Sequence, residues 1–267
     1  MGEIQRNKVL ALTGGSAGIG RQTALLFAQS GYTVYELSRT GKSEKGVVHI
    51  HADVTDTRSI EEAIAQIGGL TDGVDALICN AGFGISGAVE CTDDSEAKRQ
   101  FDVNFFGAAQ VISRALPLLR RRRGRIICVG SVAGVLPIPF QAYYSASKAA
   151  LSAFCEALQG EIAAFGVDVC CLLPGDVKTD FTRSRVKQQS GEDLYGDRIN
   201  RSVALMERDE QNGMQPAYIA HRLLRIASKK RVRPSYTAGF VYQLFVALAK
   251  LLPKSLVRRL VDGIYAK

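Results

Sequence analysis

The stretch Lys8-Val-Leu-Ala-Leu-Thr-Gly-Gly-Ser-Ala-Gly-Ile-Gly20 decides the fold that this sequence predicts. Its first part is a short apolar run, typical of a buried strand, and glycines at 14, 18 and 20 follow. Arg21 to Ser30 then carries apolar residues at helical spacing, and Gly31 ends the pattern. Glycine lets the backbone turn tightly, and the free N–H groups at a helix start attract anions. This order of strand, glycine loop and helix predicts a site for a pyrophosphate.

Apolar runs and helical patterns alternate along the chain beyond this stretch. Most of the runs are continuous, as in strands that are buried on both faces of a parallel sheet. Strands are predicted at Lys8–Leu12, Thr33–Leu37, Val47–His51, Asp75–Cys79, Arg125–Val129 and Val167–Leu172. Helices are predicted at Arg21–Ser30, Ser59–Ile67, Ser95–Leu119, Tyr144–Phe165 and Ala217–Ser228. The pattern indicates an α/β fold, a single Rossmann-type doubly wound parallel sheet with helices on both faces.

One domain is predicted to cover residues 1–267. The alternating pattern ends after Pro174. Residues 178–215 are polar, rich in charge and without clear periodicity, so we expect a mobile substrate loop with short helices over the site. Residues 216–267 are predicted to form a C-terminal helical extension, with an apolar stretch at 240–252 and a basic amphipathic stretch at 256–264.

Composition excludes several classes of protein. The chain has no secretory signal pattern, and its six cysteines have no metal-ligand spacing, so we expect a cytoplasmic protein with reduced cysteines. The net charge of +8 is uneven, because residues 216–267 contain eleven Lys or Arg and one acid. A basic surplus confined to one end argues against a nucleic-acid-binding domain. His49 and His51 alternate on one strand without a third ligand, so no metal site is predicted.

Tyr144 and Lys148 are the residues most suggestive of chemistry. They are four apart in a predicted helix, so the phenol and the ammonium lie on one face. A nearby cation lowers the pKa of a phenol, which would suit proton transfer near neutral pH. Tyr143 lacks such a partner, because the residue four positions further on is Ser147.

Several ordered motifs together resemble the short-chain dehydrogenase/reductase family over residues 8–180. The glycine loop after Thr13 resembles the family's cofactor loop, and Asn80-Ala81-Gly82 resembles its NNAG motif, with Cys79 in place of the first asparagine. Pro174-Gly175-x-x-x-Thr179 resembles the motif after the sixth strand. The matching catalytic positions are Asn104, Ser131, Tyr144 and Lys148.

The resemblance implies hydride transfer between a nicotinamide and a carbonyl or alcohol carbon. Tyr144 would exchange a proton with the substrate oxygen, and Ser131 would hydrogen-bond the same oxygen. Lys148 would lower the pKa of Tyr144 and bind the nicotinamide ribose. Asn104 would hold a water that links Lys148 to solvent. Related proteins often pair through the helices around Asn104 and Tyr144, so a homodimer or homotetramer is expected.

The end of the second strand favours NADP(H) over NAD(H). An acid there usually binds the ribose hydroxyls of NAD, whereas here the position is Ser38, and Arg39 follows it. A guanidinium matches a 2′-phosphate, although a shift of two residues would place Glu36 at this position. Asp53 resembles the family's adenine contact. The predicted cofactor-binding residues are Gly14, Ser16, Gly18, Ile19, Gly20, Ser38, Arg39, Thr40, Asp53, Val54, Asn80, Ala81, Gly82, Tyr144, Lys148, Pro174, Gly175, Val177 and Thr179.

The segment between Ser131 and Tyr144 is mostly apolar, as are Phe83 and Ile85. Such pockets take lipophilic ligands, so we predict a lipophilic ketone or secondary alcohol of the steroid, retinoid or acyl type. A 3-oxoacyl-thioester reductase is the first alternative. A non-catalytic NADP-binding scaffold or sensor is the second, because a fold alone does not fix function.

Residues 240–264 allow two interpretations. The apolar stretch is too short to span a bilayer, and the cations beside it suit peripheral contact with an anionic membrane. The alternative, which we favour from the sequence, is a helix that packs over the pocket or against another subunit and has a basic outer face.

Overall fold

The computed structural model describes residues 7–187 and 191–266. Positions 188–190 of the predicted substrate loop lie outside this part, as do both ends of the predicted domain. Nine strands are present: β1 (Lys8–Thr13), β2 (Tyr32–Ser38), β3 (Val47–His51), β4 (Ala76–Cys79), β5 (Ile85–Ser86), β6 (Arg125–Val129), β7 (Asp168–Pro174), β8 (Val186–Lys187) and β9 (Ser235–Ala238). Seven of them form one parallel sheet in the order β3-β2-β1-β4-β6-β7-β9, and β5 pairs with β8.

Helices cover both faces of the sheet. They are α1 (Gly18–Gln29), α2 (Thr57–Leu70), α3 (Asp94–Phe101), α4 (Ala108–Arg122), α5 (Ala142–Ile162), α6 (Phe181–Ser184), α7 (Glu192–Tyr195), α8 (Arg198–Gln211), α9 (Pro216–Ala227), α10 (Phe240–Leu251) and α11 (Lys254–Tyr265). One core lies between the sheet and α2, α4 and α5, and a second lies between the sheet and α1 and α9. The predicted doubly wound α/β fold is confirmed.

The central strands are buried almost completely, because each lies between these two cores. Leu10, Leu12, Leu77, Ile126 and Ile127 expose none of their surface. Their continuous apolar runs therefore place the strands in the sheet, as the sequence predicts. All strands run in one direction, so their carboxyl ends meet at one edge. The strand order reverses between β1 and β4, and ligands of such sheets bind in the crevice at that point.

The region after Pro174 differs most from the sequence-based expectation. The seventh strand, β9, was not predicted, because it is short and three of its four residues are only partly buried at the sheet edge. The described residues of this segment, 178–187 and 191–215, are more regular than the expected loop with short helices. The 14-residue helix α8 buries Ile199, Ser202, Val203 and Met206, which have helical spacing, so the interpretation of no periodicity is wrong.

The long predicted helix at 95–119 is divided by a π-helical segment, Asp102–Gly107. Such segments widen the helix locally and are frequent at functional sites. In the described part of the chain, we find no helix whose length and apolar character would let it cross a bilayer.

Candidate active site

The glycine loop brings backbone groups to the crevice at the carboxyl end of β1. Gly14 and Gly18 have φ of +67° and +52°, a region that L side chains rarely adopt. A side chain on Gly14 would also lie 2.9 Å from the backbone of Ala81. Asn80 fixes the loop, because its Nδ2 donates to the Gly14 carbonyl at 2.9 Å.

No side chain caps the N-terminus of α1, so its first N–H groups remain available at the crevice. Ser38, at the end of the next strand, has a buried hydroxyl without a hydrogen-bond partner. These unpaired donors and the backbone cradle fit the phosphates and ribose of a dinucleotide.

A cavity of about 960 Å³ extends from the glycine loop to the C-terminal helices. Eighteen of the nineteen predicted cofactor-binding positions line this cavity, and Gly20 is the exception. Ser131 also lines this cavity, whereas Asn104 does not. Gly20 has a packing role instead, because a side chain there would lie 2.0 Å from the Gly14 carbonyl oxygen.

Ser131, Tyr144 and Lys148 meet at the centre of the cavity. Ser131 follows β6 and begins a 3₁₀ turn, where its Oγ accepts a hydrogen bond from the Ala133 N–H at 3.1 Å. Its hydroxyl also hydrogen-bonds the phenol of Tyr144. Lys148, one helical turn further along α5, is buried, and its Nζ donates to the Val129 carbonyl at 2.9 Å.

The pKa of Tyr144 differs from the sequence-based expectation. Although part of the ring is exposed to the cavity, the hydroxyl lies deep, and burial raises its pKa from 10 to about 12. The hydrogen bond from Ser131 opposes this rise but does not reverse it. The predicted lowering by Lys148 is therefore wrong for this chain, because the ammonium is directed at Val129 and burial lowers its own pKa.

Asn104 lies behind the cavity in the π-helical segment and is 1% exposed. Its Oδ1 accepts from the Phe83 N–H at 3.0 Å, and its Nδ2 donates to the Phe83 carbonyl and to Ser147 Oγ, both at 3.1 Å. Ser147 in turn donates to the Tyr144 carbonyl at 2.8 Å. Asn104 thus ties the loop after β4 to the helix that carries Tyr144 and Lys148.

The structure separates the role of Glu36 from that of Ser38 and Arg39 at the end of β2. Glu36 is 2% exposed and is not in the cavity wall. Its carboxylate accepts from the Gly15 N–H at 2.9 Å and contacts His49 Nδ1 at 2.7 Å. Ser38 and Arg39 line the cavity, and Arg39 is near enough to Asp53 to help lower the pKa of that carboxyl.

Helices α10 and α11 complete the cavity, in agreement with the favoured expectation of a helix over the pocket, although the sequence analysis named none of the individual lining residues. Tyr242 packs on Gly175, and its hydroxyl donates to Asp176 Oδ2 at 2.5 Å. Phe245, Leu248 and Leu260 add apolar wall. Only the apolar spacing of 240–252 signals these residues, and spacing does not show which surface a helix covers.

The arrangement is that of an oxidoreductase that holds a dinucleotide at the carboxyl edge of a parallel sheet. The family model for short chain dehydrogenase matches residues 8–190. The chain belongs to the short-chain dehydrogenase family.

Two similar proteins have informative names. The 3-ketodihydrosphingosine reductase of Bacteroides thetaiotaomicron is 35% identical over 264 residues, which cover 97% of this chain and 98% of that protein. The 11-beta-hydroxysteroid dehydrogenase of Pinus massoniana is 38% identical over 212 residues, 73% of this chain and 58% of that protein.

Solved structures of the family have the same fold. A short-chain dehydrogenase from Streptomyces avermitilis superposes with a TM-score of 0.82 at 26% identity, over 97% of this chain and 96% of that one. An alcohol dehydrogenase from Thermococcus sibiricus, complexed with 5-hydroxy-NADP, has a TM-score of 0.73 at 25% identity, over 89% and 98%. A family member from Burkholderia phymatum in complex with NAD has a TM-score of 0.79 at 20% identity, over 93% and 94%. Nicotinamide dinucleotides of both kinds therefore occur among these relatives.

Proposed function

We propose that this protein is an NADP(H)-dependent reductase of lipophilic ketones. The observation that carries the proposal is that Ser131, Tyr144 and Lys148 converge in one cavity whose far wall is apolar. When bound, the cofactor supplies the hydride. The chain's own residues would orient the ketone, exclude water and deliver the proton.

Tyr144 would donate the proton to the substrate oxygen. A phenol with a pKa of about 12 retains its proton at neutral pH, which suits the acid that a reduction requires. Ser131 would donate a hydrogen bond to the same oxygen and stabilise its developing negative charge. Lys148 would bind the nicotinamide ribose. Asn104 would fix the part of α5 that carries Tyr144 and Lys148, and it would bind a water that relays protons from solvent to Lys148.

The preference for NADP(H) is supported by the end of β2. Arg39 is exposed at the cavity, where its guanidinium could pair with a 2′-phosphate in a bidentate manner. Glu36 is engaged with Gly15 and His49, so it does not place a carboxylate beside the ribose. The carboxylate of Glu36 therefore does not oppose a phosphate at Ser38.

The substrate class is supported by the cavity wall and by the relatives. Leu136, Ile138, Phe181 and the helices α10 and α11 give the substrate side an apolar surface. Two relatives are named for a ketosphingoid base and a hydroxysteroid, and both kinds of molecule are lipophilic. A long-chain 3-ketosphingoid base is our first candidate, and a 3-oxoacyl thioester is the second.

NADPH oxidation against a panel of ketones tests this proposal. The panel contains 3-ketodihydrosphingosine, a ketosteroid, a 3-oxoacyl thioester and a small polar ketone. We expect turnover of a lipophilic member, a loss of about 10²- to 10⁴-fold in Tyr144→Phe, and little change in the matched control Tyr143→Phe. Preference for the small polar ketone would refute the lipophilic assignment. NADPH binding without turnover of any ketone would support the non-catalytic alternative.

We further propose a cytoplasmic homo-oligomer that pairs through the surface of α4 and α5. Phe106 is 50% exposed at this surface and packs against Phe105, which contacts Phe154 of α5. Exposed aromatic rings of this kind suit a buried contact between subunits. Light scattering of the parent and of Phe106→Asp tests the proposal, and a parent that is monomeric would refute it.

A further inference from the structure

The outer face of α10 is apolar along its whole length. Phe240, Val241, Leu244 and Leu251 are exposed by 81%, 54%, 50% and 82%, and their spacing places them on one side of the helix. Val246, on the opposite side, is buried against the protein. The expectation of a basic outer face on this helix is therefore wrong.

Helix α11 extends this apolar surface. Leu256, Leu260 and Ile264 are four residues apart and are exposed by 41%, 56% and 55%. In the described part of the chain, sixteen large apolar side chains are exposed, and nine of them lie between residues 240 and 264. We call these nine side chains the apolar face. A concentration of this kind marks an interaction surface.

The apolar face surrounds an opening of the cavity. Phe245, Leu248, Leu260 and Ile264 line the cavity and are also exposed by 40–56%. Because these four side chains belong to both surfaces, we infer that the cavity opens at this face. The surface that meets a partner is therefore also the entrance toward Tyr144.

The charge around the apolar face indicates the nature of the partner. The two helices carry four exposed cations, Lys250, Lys254, Arg258 and Arg259, and one acid, Asp262. Arg259 is three residues from Leu256, so it lies directly beside the apolar stripe. A second copy on this face would bring two sets of cations together, whereas anionic lipid headgroups would neutralise them.

We propose that α10 and α11 dock this protein on the surface of an anionic lipid bilayer, with the cavity mouth against the lipid. Helix α10 has 12 residues and is about 18 Å long, so it would lie in the interface and not cross a hydrocarbon core of about 30 Å. The apolar face enters the boundary between headgroups and acyl chains, and the four cations bind lipid phosphates.

Docking rests on the surface of α10 and α11 alone, whereas delivery of substrate rests also on the proposed function. A lipophilic ketone that is dissolved in the bilayer would enter the cavity between Leu248 and Leu260 without crossing water. In the docked orientation, the protein would therefore take its ketone substrate directly from the membrane that it binds.

Co-sedimentation of the full chain with lipid vesicles tests the docking. We expect binding to phosphatidylcholine vesicles that contain about one third phosphatidylserine, and weaker binding to phosphatidylcholine alone and at about 1 M salt. The variant Lys250→Gln/Lys254→Gln/Arg259→Gln should bind the anionic vesicles about a hundredfold more weakly, because each cation contributes about fivefold.

The apolar contribution is tested with residues outside the cavity wall. Phe240→Gln/Leu244→Gln/Leu251→Gln should weaken binding at least about a hundredfold. Its control, Leu70→Gln/Val89→Gln/Leu194→Gln, changes three exposed apolar residues elsewhere and should bind within about twofold of the parent. Thermal unfolding of each variant confirms that it is folded.

Three results would overturn the docking proposal. The first is that the parent does not bind anionic vesicles. The second is that the parent binds neutral and anionic vesicles equally well. The third is that the variant of the apolar face and its control variant bind the vesicles equally well. A parent dimer that Phe240→Gln/Leu244→Gln/Leu251→Gln dissociates, without vesicle binding, would assign the face to a second copy instead. Turnover of a water-soluble ketone is measured separately, so vesicle binding without turnover refutes only the proposed function, and turnover without vesicle binding refutes only the docking.

Discussion

The contact between Gly175 and Tyr242 gives the sharpest test of how the C-terminal helices are attached to the site. A side-chain carbon on Gly175 would lie 2.3–2.4 Å from three ring carbons of Tyr242. The ring cannot simply turn aside, because its hydroxyl is bonded to Asp176 and its helix is anchored by buried Val246. Gly175→Ala should therefore force the ring and the start of α10 away from the sheet.

Overpacking of this kind costs about 1–3 kcal/mol. With an unfolding entropy of about 2.1 cal/mol/K for each of the 267 residues, the melting temperature should fall by roughly 2–5 °C. Urea unfolding of Gly175→Ala in the parent and in Tyr242→Ala measures the cost directly. In the Tyr242→Ala background the clash is absent, so we expect Gly175→Ala to cost less than about 0.5 kcal/mol.

Equal costs in the two backgrounds would refute this reasoning. Such a result would mean that Gly175 is required for a reason other than the space that Tyr242 occupies. Gly160→Ala is the matched control, because a side-chain carbon at Gly160 would meet nothing within 4 Å, and it should not lower the stability.

Three further predictions concern the cofactor end, the helix support and the pH dependence. Arg39→Ala should raise the Kd for NADPH about tenfold and leave that for NADH unchanged, because only NADPH has the 2′-phosphate; equal losses in a fluorescence titration would contradict the assignment. Asn104→Leu should lower the free energy of unfolding by about 1–3 kcal/mol in urea, because the Phe83 N–H loses its buried acceptor, and a neutral effect would contradict this role. The pKa of Tyr144 rises from 10 to about 12 on folding, so its contribution to stability is complete below pH 10 and is lost as the pH rises to about 12. Urea unfolding at pH 10 and at pH 12 measures how much free energy of unfolding each protein loses over this interval. We expect Tyr144→Phe to lose up to about 2–3 kcal/mol less than the parent, and an identical loss would contradict the raised pKa.

Local sequence signals predicted most of the fold and the reacting groups. Continuous apolar runs located six of the seven strands in the main sheet, because burial on both faces excludes polar residues. Ordered motifs predicted four catalytic positions, and three of them line one cavity. The short edge strand β9 lacked such a signal, since three of its four side chains are only partly buried.

Other properties could not be read from the chain. Helical spacing placed Lys148 beside Tyr144, but not the depth of the hydroxyl, and burial outweighs the nearby charge in setting the pKa of Tyr144. The role of Glu36 was likewise open, because only the folded strand directs its carboxylate to Gly15 and away from the cavity. Each of these depends on distances between residues that are far apart in sequence.

The sequence by itself determined the parallel sheet, the glycine loop and the residue types of the site, because each depends on short-range spacing and composition. The tertiary structure decided the pKa of Tyr144, the closure of the cavity by Tyr242, and the exposure of the apolar face. Burial sets the first, steric fit against Gly175 sets the second, and the third depends on which side of α10 the sheet covers. These three quantities arise only when distant segments pack together, so no local pattern contains them.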